Sequence, residues 1–196
     1  LSEKNFVELW RACHPELGLG EFARFITALE REWSDIFVEL REPLCAIYGW
    51  RWSDRLHEML CVLFLCPREF QNFVDEKKMS VRDLAPLLAV EDVRVIADLL
   101  RELPRMVISK FEATRCLELF VELYLIGRPL NDLLPTSDNG SLYLRRLESW
   151  RRPQTSSGDE EWRKTVNEWP WPAQVSAEWQ RVGDQGGIEI KMRTTS

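Results

Sequence analysis

The 196-residue sequence predicts a mainly α fold: a multi-helix bundle with a helix-turn-helix-like pair and a small C-terminal β-hairpin as an α+β appendage. Three observations predict it. Residues 109–127, SKFEATRCLELFVELYLIG, run from a capping-box start (Ser109 with Glu112) to a glycine stop (Gly127) and are apolar on nearly all sides, which calls for neighbours on nearly all sides. Upstream, apolar residues recur three and four apart, the helical period. From Val175 the period changes to two, the signature of a half-buried strand.

Ser2 caps a short first helix that ends at Cys13, before His14 and Pro15, and Gly18 and Gly20 mark a turn. From Glu21 to about Arg41, Phe22, Ile26, Leu29, Trp33, Ile36 and Leu40 form a heptad-like stripe that Phe25 and Phe37 widen. It spans fewer than three heptads and is rich in aromatics, so it reads as an amphipathic helix facing its own core rather than a coiled-coil surface. Pro43 and Gly49 bracket a short apolar turn. Ser53 caps the next helix, whose Leu56, Met59, Leu60, Leu63 and Phe64 are core candidates before Pro67, and Phe70, Phe73 and Val74 supply another. Ser80 with Asp83 repeats the capping pattern. A short helix to about Leu88, a turn at Val90-Glu91 and a helix to Leu103 form the helix-turn-helix-like pair. The apolar segment 109–127 follows as the central helix.

After it, Pro129 and Pro135 frame a turn-like helix, TSDNGS is a loop, and Ser141 begins the helix LYLRRLESWRRP. Residues 153–160, PQTSSGDE, are polar and turn-rich and read as a linker. The organisation expected is therefore a helical domain over 1–152, the linker 153–160, and a Trp-rich helix with a β-hairpin over 161–196. In that appendage the helix carries Trp162, Val166 and Trp169, and Trp169-Pro170-Trp171-Pro172 stiffens the chain. Val175, Ala177 and Trp179 then alternate with polar residues, GDQGG turns the chain, and Ile188, Ile190 and Met192 alternate on the return. Such a hairpin is marginal alone in water, so it needs the tryptophans or a second copy of the chain against it.

Hydrophobic residues make up 45% and charged residues 30%, enough for both a core and solubility. A net charge of −6 removes any global field favouring nucleic acid, leaving only local basic patches. The five cysteines lie in apolar, helix-like segments without CxxC spacing, as in a reducing compartment. No signal-peptide pattern opens the chain and no apolar run suits a bilayer, so the expected location is cytoplasmic, without a membrane partner. The chain starts on Leu1 and stops just after a strand-like run, and both ends can be read as fragment boundaries.

Chemistry is sparsely signalled. P-loop, dinucleotide-binding glycine, nucleophile-elbow and zinc-ligand patterns are all missing, which predicts a protein that is not an enzyme and carries no cofactor or metal. His14 and His57 stand alone, and His57 reads as a surface histidine beside Glu58. The densest basic cluster is Arg145, Arg146, Arg151 and Arg152, near Tyr143 and Trp150. Arginines can fork onto phosphates while an adjacent aromatic stacks on a base; the other reading is a solvated face that pairs with acidic side chains. Trp162, Trp169, Trp171, Trp179, Ile188 and Ile190 are the interaction candidates, either as a clamp onto the core or as a contact with another chain.

The order of helix, turn, helix, Leu103-Pro104, then Ile108-Ser109-Lys110 leading into an apolar helix resembles the central DNA-binding region of ParB-like chromosome partition proteins. The run from Gly187 to Lys191 is similar to a glycine-led strand in the C-terminal dimerisation region of some of them. The resemblance implies DNA association, with DNA as partner, and dimerisation through the hairpin. Pro86 inside the first helix and the acidic start Glu91-Asp92 of the second depart from a groove reader, so no base-reading residue is assigned there. The paired-arginine nucleotide box of the ParB N-terminal domain has no counterpart, so no nucleotide hydrolysis is implied. Two functions stand at this point: a non-enzymatic DNA-associated protein, or a helical protein-interaction module with no nucleic-acid role.

Overall fold

In the computed structural model, which describes residues 3–151, 153–172, 174–182 and 185–192, the chain is mainly helical with a C-terminal two-stranded antiparallel hairpin. The helices are α1 (Glu3–Cys13), α2 (Leu19–Glu32), α3 (Ser34–Ile47), α4 (Asp54–Leu65), α5 (Arg68–Glu76), α6 (Ala97–Glu102), α7 (Lys110–Leu125), α8 (Leu130–Leu133), α9 (Gly140–Arg151) and α10 (Pro153–Glu168). The strands are β1 (Val175–Val182) and β2 (Gln185–Met192). Leu1–Leu147 form one unit and Glu148–Ser196 a second. No helix among the described residues is long and apolar enough to cross a membrane.

In the helical unit, α2 packs on α3, α4 and α5. Phe22, Ile26, Leu60, Leu63, Phe70 and Phe120 are fully buried, and the apolar face of each helix meets the others there. The capping box at α7 has both of its arms: the Glu112 N–H donates to Ser109 Oγ, and the Ser109 N–H donates to Glu112 Oε2. Gly127 ends the helix with φ +86°. There its own N–H bonds the Tyr124 carbonyl while the Arg128 N–H bonds that of Leu123, a Schellman closure that requires the left-handed conformation. Between these ends Cys116, Leu117, Leu119, Phe120, Val121 and Leu123 are buried as expected of a central helix; Phe111, Leu125 and Ile126 are exposed at its two ends.

Polar side chains join the N-terminus of α2 to α5. Gly18, at the N-cap of α2, has no side chain to satisfy the orphan N–H groups, and Asp75 of α5 does so from a distance. Its carboxylate accepts from the Gly20 N–H at 2.6 Å and the Glu21 N–H at 2.9 Å. The approach depends on both glycines: a Cβ on Gly18 would lie 2.2 Å from Asp75 Cγ, and one on Gly20 2.4 Å from the Gln71 carbonyl oxygen. Burial pushes the Asp75 carboxyl above its usual range although both N–H groups oppose the shift. Buried Gln71 donates to the Phe64 and Cys66 carbonyls at the end of α4 and accepts from Arg24 at 2.9 Å. The two glycines, which in the sequence read only as a turn, are what let α5 dock.

Four sequence expectations change. The single helix from Glu21 to Arg41 is broken at Trp33 (φ −143°, ψ 67°), which resets the helical phase: Phe37, Leu40 and Leu44 turn inward, while Trp33 and Ile36 stay exposed. Pro43 lies inside α3 instead of in a turn. The helix-turn-helix-like pair consists of a 3-10 segment Ala85–Ala89, a turn, and a 3-10 segment Val93–Ile96 running on into α6; Pro86, which lacks an N–H, fits the first turn of the tighter helix. Residues 153–160, expected as a linker, form the first half of α10, where Pro153 suits a helix start. Ser2, the expected first cap, lies outside the described residues.

In the C-terminal unit β1 and β2 pair in register, with Ala177 opposite Ile190 and Trp179 opposite Ile188. Helix α10 packs on β1, and the Trp162 and Trp179 rings stack at 5.3 Å between centroids. A Cβ on Gly186 would stand 2.3 Å from Trp179 Cζ2, so the glycine gives the indole its place on the sheet.

Candidate functional site

Helix α9 carries the arginines singled out in the sequence, and they do not act alike. The Arg146 guanidinium bonds Thr136 Oγ1 at 2.9 Å, the Asp132 carbonyl at 3.1 Å and the Leu134 carbonyl, closing the 132–136 loop against its own helix. Its two terminal nitrogens are spent on that loop. Tyr143 is buried beneath it, donates to the Leu133 carbonyl at 2.8 Å and has its phenol pushed upward by burial, so it offers no ring to a base. Arg145 is exposed and has no hydrogen bond or ion pair among the described residues. Arg151 ends α9 in the C-terminal unit, and Arg152 lies outside the described residues.

The helix-turn-helix-like pair is polar-neutralised at its surface. Arg94 is forked onto Asp92 through Nε and Nη2 at 2.9 Å each, and Arg101 and Arg105 each make one bond, to Asp98 at 2.6 Å and Glu102 at 2.5 Å. In an open cleft lined by Val107, Ser109, Glu112, Asp138 and Ser141, the two serines and Glu112 bond one another. Glu112 accepts from both Ser141 Oγ and Ser109, which hold its carboxyl down at about 2, the Ser141 hydrogen bond first.

Among the interaction candidates, Trp162 and Trp169 are exposed, Trp171 and Trp179 half-buried. Trp171 Nε1 donates to the Val166 carbonyl at 2.8 Å, and its ring lies 5.5 Å from that of Trp169, so the Trp-Pro-Trp-Pro segment folds back on the end of α10. Opposed residues of an antiparallel pair share a face, so Val175, Ala177, Trp179, Ile188, Ile190 and Met192 form one apolar surface. Its β1 half is half-buried. On β2, Ile190 is 52% and Met192 74% exposed.

A third constellation was missed in the sequence. His57 Nε2 stands 3.0 Å from Glu30 Oε2, supplying the carboxylate partner that the sequence could not reveal. Cys61 follows His57 by one turn of α4, and one ligand atom from each of Glu30, His57 and Cys61 falls within 4.8 Å of the other two. The His57 ring is walled by Trp52 at 5.2 Å and Phe37 at 5.8 Å, with the Arg41 guanidinium 5.4 Å from the Trp52 ring. Burial, and then the Glu30 charge, raise the Cys61 thiol above its ordinary range, so without a cation it is a thiol and a poor nucleophile. Burial drives Cys45 and Cys66 up to about 12, which makes them inert packing groups. The i, i+4 spacing of His57 and Cys61 was a readable signal; the approach of Glu30 from α2 was not. Comparison with protein-family models, with curated proteins and with solved structures finds no match for this chain.

Proposed function

We propose that the chain is a non-enzymatic helical interaction protein that self-associates through its C-terminal hairpin. The observation that carries this reading is the uncovered β2 end of the apolar face, Ile190 and Met192, on a sheet of only two strands. A two-stranded hairpin with an open edge and an uncovered apolar face is marginal unless another strand completes it. A second copy suits that edge. Antiparallel pairing of β2 with β2 of another chain, centred on Ile190, would set Glu189 opposite Lys191 of the second copy and Lys191 opposite its Glu189. The two ion pairs would be related by a twofold axis, as a closed dimer requires. Within one chain Lys191 already lies 3.2 Å from Glu189 and 3.6 Å from Glu178, so the polar face carries both signs.

Sedimentation equilibrium over a wide concentration range tests this. The wild-type chain is expected to dimerise, and Ile190→Lys to raise the dissociation constant by more than about tenfold, some 1.4 kcal/mol. A wild-type monomer throughout the range would remove the proposal.

DNA association, with the ordered ParB-like segments behind it, is the second reading. Exposed Arg145 favours it, whereas the internal bonds of Arg146 reduce the basic surface left for phosphate. Titration with random duplex DNA at two salt concentrations decides: salt-sensitive binding weakened by Arg145→Ala supports this reading, and no binding at low salt ends it.

A further inference from the structure

Metal ligation needs donors that converge on a point, and relay catalysis needs donors in line. In a cysteine–histidine–carboxylate relay the imidazole uses both of its nitrogens, one towards the thiol and the other towards the acid. Here a single ring nitrogen of His57 lies within 4.8 Å of both the Cys61 thiol and the Glu30 carboxylate. We propose that Glu30, His57 and Cys61 form a three-ligand site for a divalent transition metal of the zinc class, pinning α2 to α4.

The donor set suits that ion. Zinc takes sulfur, imidazole nitrogen and carboxylate oxygen at about 2.0–2.3 Å in a tetrahedral shell, which sets the donors roughly 3.5 Å apart. Donors within 4.8 Å of one another need to contract by about 1.3 Å at most, within the reach of side-chain rotation, and the 3.0 Å His57–Glu30 spacing needs none. Softer thiolate and imidazole donors select against magnesium and calcium, which prefer oxygen. Placement supports the same conclusion. His57 and Cys61 project from one face of α4 by their i, i+4 spacing, and Glu30 comes from the last turn of α2, the helix packed against it. The Trp52 and Phe37 rings lie 5.2 and 5.8 Å from the imidazole and limit its rotation. The site is open to solvent: the His57 and Glu30 side chains are 32% and 35% exposed, which leaves room for a water as fourth ligand.

Charge and protons balance. On binding, the Cys61 thiol releases its proton to solvent, His57 binds as the neutral imidazole, and the 3.0 Å contact between His57 and Glu30 gives way to two metal bonds. Carboxylate and thiolate then cancel the charge of the dication.

Cobalt(II) chloride added to the full chain under anaerobic conditions, without thiol reductant, is the probe. One equivalent is expected to produce the intense visible bands of a tetrahedral site and a thiolate-to-cobalt charge-transfer band, both bleached by zinc chloride. Cys61→Ser is expected to abolish the charge-transfer band, and Cys13→Ser, at an exposed cysteine remote in sequence, to leave it intact. Glu30→Gln, a conservative change at a partly exposed side chain, is expected to weaken cobalt binding by about tenfold or more, since even indirect partners of a metal contribute that much. Only the weak spectrum of hydrated cobalt, a charge-transfer band that survives in Cys61→Ser, or unchanged affinity in Glu30→Gln would overturn the assignment. If Cys61→Ser does not fold, the Glu30→Gln affinity alone decides.

Discussion

The helical unit and the C-terminal unit bury their apolar surface in different ways. Residues 1–147 enclose Phe22, Phe70 and Phe120 completely and add polar ties between helices, Asp75 to the start of α2 and Gln71 to the end of α4. In residues 148–196 Val166 is the one buried residue among those described; the tryptophans stack on one another and Ile190 and Met192 face outward. Burial scales with how many elements surround a residue, and a helix over a two-stranded sheet surrounds very few. The first unit therefore completes its own core, and the second has an apolar face to spare.

Cavity formation is the strongest way to break that comparison. Phe120→Ala, in the middle of α7, is expected to destabilise the helical unit by about 3–5 kcal/mol, read as a lower denaturant midpoint. Val166→Ala removes two methyl groups at about 0.8 kcal/mol each and is expected to loosen the C-terminal unit alone, read by faster amide exchange in β1. Equal effects of the two would mean that the units unfold together. Next in size is Gln71→Leu, which keeps the volume but leaves the Phe64 and Cys66 carbonyls without their donor, at about 1–3 kcal/mol by chemical denaturation.

What the sequence made legible follows the same division between local and distant causes. The capping box at Ser109, the Gly127 stop, the Ser53 cap and the strand alternation from Val175 all rest on residues within a few positions of one another, and each is found. The break at Trp33 and the helical Pro43 were hidden because a heptad count assumes unbroken phase. Arg146 resembled a phosphate ligand in the sequence, but whether carbonyls of a loop ten or more residues away would claim its donors depended on the tertiary path of that loop. The same holds for Glu30, which is 27 residues from His57 in the chain and adjacent to it in space. Gly18 and Gly20 read as a turn, because their partner Asp75 lies more than fifty residues further on.

The smallest expected effect tests whether polar ties of the helical unit carry measurable stability of their own. Glu112, at the first turn of α7, is held down at about 2 by Ser141 and Ser109, against an ordinary value of 4.5. A carboxyl whose folded value is depressed contributes stability that is full above its unfolded value and is lost as pH falls through the folded one. Acid titration of wild type should therefore show helical-unit stability declining between about pH 4.5 and pH 2 with a contribution from this group. Ser141→Ala removes the first of its donors from the start of α9 while leaving the capping arm of Ser109 in place. The variant is expected to show a lower melting temperature than wild type at pH 7 and a shallower loss across the acid range, so that the two curves converge near pH 2. Parallel curves would mean that the serine contributes packing alone, and that the polar ties distinguishing the helical unit are confined to its buried network around Gln71 and Asp75.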